Sequence, residues 1–149
     1  MRRIDLIVIH CSATEGGNDL TVEEINSWHI ARGFRKIGYH FLIHLSGEIS
    51  GAYEGMRRME EMGAHAKGYN LHSIGVCYVG GMRKKEAYDT RTVAQIHALR
   101  ALVKALQSMF PNAEAVGHRD LSVDLNGDGV ITKSEWMKQC PSFYVKAGL

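Results

Sequence analysis

The 149-residue sequence holds two prolines, three cysteines and no apolar stretch near the roughly 20 residues that a bilayer-spanning helix requires. Membrane insertion is therefore not expected. Cys11, Cys77 and Cys140 are odd in number and far apart, and none stands in a C-x-x-C pair, so neither a disulfide framework nor a zinc finger is indicated. Any metal site has to be assembled from distant segments. Charge of one sign is also scarce: a formal +2 is too small to mark a nucleic-acid binder, although it suits approach to an anionic surface. Met1-Arg2-Arg3 is basic, but the apolar run that follows is interrupted by Asp5 and covers only 6–9 before His10, too short for a signal-peptide core. Synthesis in the cytoplasm without a leader is the expectation.

What is present is the composition of one ordinary globular domain: 45% hydrophobic, 23% charged, sixteen glycines. Repeats, low-complexity tracts and linkers are missing, so 1–149 reads as a single domain, with monomer as the default state. Residues 4–9 form a β-branched run without turn residues, the mark of a short buried strand, and His10 stands at its end. Thr21-Val22-Glu23-Glu24 has the form of a capping box opening a helix that ends near Gly33. Two strands, 39–45 and 48–53, flank a Ser46-Gly47 turn, and 73–79 reads as another buried strand closed by Gly80-Gly81. A second capping pair, Thr92 and Gln95, opens the longest helix. Val93, Ile96, Leu99, Leu102, Val103, Leu106 and Phe110 recur along it at helical spacing until Pro111. Ala115-Val116 is a final short strand that delivers His118 at its end, as the first delivers His10. The fold class expected is α/β, a central mixed sheet of about five strands flanked by helices, with the site in a surface cleft.

Two histidines at strand ends matter because a catalytic zinc takes three protein ligands from the histidine, cysteine and carboxylate set and leaves one position for water. His10, His118 and Cys140 are the candidates. Spacing by itself leaves a second reading open, in which two of eight histidines end strands by chance and Cys140 is a buried structural cysteine.

The residues carry a further signal. Ile7-Val8-Ile9-His10-Cys11-Ser12-Ala13-Thr14 comes first, then Trp28-His29, Arg32-Gly33-Phe34 and Ile37-Gly38-Tyr39-His40-Phe41. Next stand Gly63-Ala64-His65-Ala66, Gly68-Tyr69-Asn70 and Ser73-Ile74-Gly75-Val76-Cys77-Tyr78-Val79-Gly80-Gly81. Gly117-His118-Arg119-Asp120 and Lys138-Gln139-Cys140-Pro141-Ser142-Phe143 complete the series. In order and coverage these blocks resemble the type 2 N-acetylmuramoyl-L-alanine amidases, which include phage lysozyme-type amidases and the peptidoglycan recognition proteins. The resemblance implies zinc held by His10, His118 and Cys140, with Tyr39 and Lys138 as catalytic side chains and peptidoglycan as substrate. It also implies cleavage between the lactyl group of N-acetylmuramic acid and L-alanine of the stem peptide. Without a leader, such an enzyme reaches the wall after release, as phage or prophage lysis enzymes do. His65 reads as a substrate contact or an exposed loop histidine. His29 reads as a structural histidine beside Trp28, and Cys11, opposite in alternation to His10, as packing. The alternative function is a peptidoglycan-binding module without catalysis, against which the complete ligand set stands.

Between His118 and Cys140 the sequence departs from the simplest family pattern. Residues 124–135 form an EF-hand-type loop: Asp124, Asn126 and Asp128 at positions one, three and five, glycine at six, the Val130 carbonyl at seven and Glu135 at twelve. Calcium is the cation expected there. The segment before it has no helical pattern, which argues against a paired calcium sensor, and a turn that binds no ion is the other reading.

Overall fold

The computed structural model describes residues 2–53 and 55–149. In chain order the elements are β1 (Leu6–Cys11), β2 (Thr14–Glu15), α1 (Val22–Ala31), β3 (Phe41–Ile43), β4 (Ile49–Gly51) and β5 (Ser73–Tyr78). Then come β6 (Gly81–Arg83), β7 (Glu86–Ala87), α2 (Val93–Met109), β8 (Glu114–Gly117) and α3 (Val145–Gly148). The main sheet has five strands in the order β4-β3-β5-β1-β8, the expected α/β architecture. β3, β5, β1 and β8 run parallel and β4 returns antiparallel to β3 as the hairpin around Ser46-Gly47.

Parallel strands covered on both faces read as continuous apolar runs, and β1 and β5 at the centre do so. Period-two alternation divides their side chains. Ile7, Ile9, Cys11, Ile74, Val76 and Tyr78 join Leu99, Val103 and Leu106 of α2 in the larger core cluster. Leu42 and Cys77 join Val22 and Ile25 of α1 in a second cluster on the other face. Both capping boxes form. Thr21 Oγ1 accepts from Glu24 N at 3.1 Å while Glu24 Oε2 accepts from Thr21 N at 2.8 Å. Gln95 goes further: its Oε1 accepts from Thr92 N, and its fully buried Nε2 donates to the carbonyls of Ile43 and Val79, fastening α2 to the ends of β3 and β5.

Several features differ from the sequence reading. β1 starts later and continues through Cys11, so His10 lies within the strand rather than after it. β3 and β4 are three residues each; ahead of β3 the Tyr39 carbonyl accepts from Arg57 N–H and not from a ladder partner. A separate three-stranded sheet, β2-β6-β7, also forms; its strands of two or three mostly exposed residues have no readable period in the sequence.

For the site, the decisive feature is register. Ile9 stands opposite Gly117 in the parallel pair β1–β8, so His10 and His118 leave neighbouring strands at the same level.

Candidate metal centre

His10 and His118 are both buried, their ring centroids 4.6 Å apart. Cys140 arrives from the far end of the chain, and single donor atoms of His10, His118 and Cys140 all lie within 4.8 Å of one another. The Cys140 segment is held in place from two sides. The backbone N–H of Cys11 donates to Cys140 Sγ at 3.3 Å. Arg119, next to His118, donates its backbone N–H to the Cys140 carbonyl at 3.0 Å and its Nη1 to the Gln139 carbonyl at 3.2 Å. The Arg119 guanidinium is itself packed over the Trp136 ring at 3.8 Å and near Tyr144 at 4.5 Å. Nothing in its sequence position, one residue past a proposed ligand, signalled this role.

The donor set fits a four-coordinate zinc ion. Bonds of about 2.0 Å to nitrogen and about 2.3 Å to sulfur at a tetrahedral angle place the two atoms about 3.5 Å apart. His10 Nδ1 and Cys140 Sγ stand 3.8 Å apart. Burial, followed by the charges of His65, His118 and Lys138, pushes His10 well below its usual range. Burial and then Lys138 lower His118 to about 4. Both imidazoles are thus neutral near pH 7, the form that binds a metal. Contact with the Cys11 thiol, then burial, raises Cys140, so a bound cation has to displace its proton.

Tyr39 precedes β3 with its ring 5.1 Å from His10 and 5.3 Å from His29. Burial, then the neighbouring thiols, raises its phenol well above 10, so it keeps its proton. Lys138 lies on an exposed stretch that forms no strand, yet its charge is felt by both His10 and His118. His65 sits beside His10, its Nδ1 2.9 Å from His10 Nε2. His29 is structural, its Nδ1 accepting from Gly38 N at 2.9 Å. Cys11 packs in the larger core cluster.

A family model described as N-acetylmuramoyl-L-alanine amidase matches residues 1–142. The chain belongs to this family. The amidase is 36% identical over 143 residues to the endolysin of Escherichia phage T7, covering 95% of this chain and 83% of that protein. It is 34% identical over 125 residues to a peptidoglycan-recognition protein of Drosophila melanogaster, covering 77% of this chain and 63% of that protein. Among solved structures, the N-acetylmuramoyl-L-alanine amidase LysC from Clostridium intestinale superposes with a TM-score of 0.71 at 26% identity, over 96% of this chain and 79% of that one. The amidase is thus a hydrolase of the peptidoglycan-lytic class.

In the 124–135 loop, carboxylate oxygens of Asp124, Asp128 and Glu135 also gather within 4.8 Å. Asp124 accepts from the N–H groups of Gly127 and Gly129, and Glu135 from those of Leu125 and Thr132. Gly129, at position six, has φ +81°, a conformation open to glycine. Short 3₁₀ turns at His118–Leu121 and Lys133–Glu135 stand where a paired EF-hand has helices.

A pH dependence follows from the structural histidines His29 and His40. Each is buried, each Nδ1 accepts a backbone N–H, and burial lowers each from 6.5 to about 4. The unfolded chain takes up protons that the fold refuses. Stability of the metal-free protein is therefore full above about pH 6.5 and falls as pH drops toward about 4, by up to about 1.4 kcal/mol per pH unit for each histidine. Urea midpoints measured on chelator-treated protein check this; a midpoint constant from pH 7 to pH 4 would contradict it.

Proposed function

We propose that this amidase hydrolyses the bond between the lactyl carbonyl of N-acetylmuramic acid and the L-alanine nitrogen of the stem peptide, with zinc held by His10, His118 and Cys140. The observation that carries the proposal is the convergence of two buried imidazoles and a thiol, with Tyr39 and the charge of Lys138 beside them. Bound there, zinc lowers the pKa of a coordinated water to about 7 and polarises a carbonyl oxygen.

The protein's own groups do the rest. In the net reaction a water oxygen bonds to the carbonyl carbon, the C–N bond breaks, and a proton goes to the departing amine. Negative charge grows on the carbonyl oxygen on the way. The Lys138 ammonium supplies positive charge where that oxyanion forms, and Tyr39, protonated because its phenol is buried, donates a hydrogen bond at the reacting centre. Both ring nitrogens of His65 are engaged within the protein, which leaves the Cε1 edge of the ring for a substrate contact. Residues 1–149 act as one domain, as a monomer, on the wall after release. The endolysin relatives support this placement, and no helix among the described residues is long and apolar enough to cross a membrane.

Mass spectrometry of peptidoglycan digests tests the bond assignment. The expected products are stem peptides beginning at L-alanine, lost on chelation and in Cys140→Ala. New reducing sugar ends would contradict it, and binding without cleavage would support the recognition-module alternative.

For the 124–135 loop we infer a calcium site formed by Asp124, Asn126, Asp128, the Val130 carbonyl and Glu135. Its ordering would steady the chain that leads into Lys138 and Cys140: Glu135 precedes Trp136, which stacks on Arg119, and Met137 N donates to Ser122 Oγ. Isothermal titration should show one calcium per chain that Glu135→Gln weakens. Absence of a heat signal on the intact protein would remove the site.

A further inference from the structure

Beside the proposed metal ligands, one contact is more fully built than a substrate contact needs. His65 Nδ1 lies 2.9 Å from His10 Nε2. On its other side His65 Nε2 lies 3.3 Å from the hydroxyl of Ser73, a fully buried residue. The two imidazoles meet edge to face at 89°, with centroids 4.9 Å apart.

The seat of His65 is shaped for its ring. A Cβ at Gly63 or at Gly75 would come within 2.6 Å of His65 Cδ2, so both positions have to be glycine for the ring to lie where it does. Asn70 Oδ1 accepts the backbone N–H groups of both His65 and Ala66 at 2.9 Å, fixing the loop from which the ring projects. Behind it stands His40, its ring centroid 5.9 Å away. His40 is pinned at both nitrogens, its Nδ1 accepting from Gly75 N–H and its Nε2–H donating to the Glu61 carbonyl.

We propose that His65 is a positioning residue: by accepting a hydrogen bond from His10 Nε2–H, it fixes the His10 tautomer whose bare Nδ1 faces Cys140 and the metal. The inference rests on the reading of His10 as a ligand. A neutral imidazole carries one proton, so a metal-binding Nδ1 requires the proton on Nε2. That proton needs an acceptor, and His65 Nδ1 is the atom in reach. Neutral His65 then carries its own proton on Nε2 and donates it to Ser73 Oγ. The relay His10–His65–Ser73 is self-consistent in this direction. Reversed, with His65 donating from Nδ1, the His10 proton would sit on Nδ1 and point at the Cys140 sulfur. Partners of this kind orient a ligand ring and raise its basicity, and losing one weakens metal affinity by about 10–100-fold.

Two measurements test this without reading activity. In metal-free, ¹⁵N-labelled wild-type protein, the His10 ring should carry its proton on Nε2; a proton on Nδ1 would overturn the proposal whether or not any variant folds. Chelator competition then gives zinc Kd values. His65→Ala should bind zinc about 10–100-fold more weakly. His65→Asn, whose Oδ1 stands close to the place of Nδ1 and can accept, should recover most of that loss, whereas His65→Leu, which fills the seat without an acceptor, should not. Equal affinity in wild type and His65→Ala, or recovery by His65→Leu, would refute the positioning role. His10→Ala separates the two levels: if it binds zinc as tightly as wild type, the ligand reading itself fails. If His10→Ala loses zinc while His65→Ala keeps it, only the role of His65 fails.

Discussion

The pairing of Ile9 with Gly117 in the parallel register of β1 and β8 is the constraint on which the site depends. Hydrogen bonding between those two strands brings His10 and His118, more than a hundred residues apart in the chain, to the same level of the sheet. A slip of one residue would turn His10 from its own face to the face occupied by α2, where Ile9 and Cys11 pack. The apolar residues that fix the register are thus also the residues that place two of the proposed ligands. The third, Cys140, depends on a different device, the clamp of Arg119 and the Cys11 backbone on a segment without regular structure.

Placing His10, His29, His40, His65 and His118 close together in a small domain is unfavourable for any protonated imidazole, and burial lowers the pKa of all five. The arrangement is tolerable because the rings are neutral and their nitrogens are matched to partners: Gly38 N for His29, Gly75 N and the Glu61 carbonyl for His40, His65 for His10, Ser73 for His65. One network of neutral donors and acceptors therefore joins α1, the loop before β3, the glycine-rich loop and the first residues of β5 to the proposed metal centre.

Much of this architecture could be read from residue pattern. The capping boxes at Thr21 and Thr92 state their own geometry in the spacing of two side chains, and the short apolar runs of β1 and β5, bounded by turn residues, read as buried strands. The histidines near the strand ends and Cys140 are visible as candidate ligands too, although spacing leaves them undecided; only the resemblance adds Tyr39 and Lys138 and favours the metal. The small β2-β6-β7 sheet was not legible, because its strands are too short to show a period. The hydrogen bond from His10 to His65 was not legible either, since it depends on two glycines that make room rather than on any residue that advertises contact. Arg119 belongs to the same class: its guanidinium acts through the Gln139 carbonyl and two aromatic rings that only the folded chain brings to it.

His10, His118 and Cys140 are proposed to hold one metal ion. Metal analysis of the purified protein and of its single alanine variants at these three positions addresses it directly. One zinc per chain in the wild type, with strongly reduced zinc in each folded variant, is the predicted result. Zinc retained at full stoichiometry and affinity when any of the three is replaced would exclude that residue as a ligand.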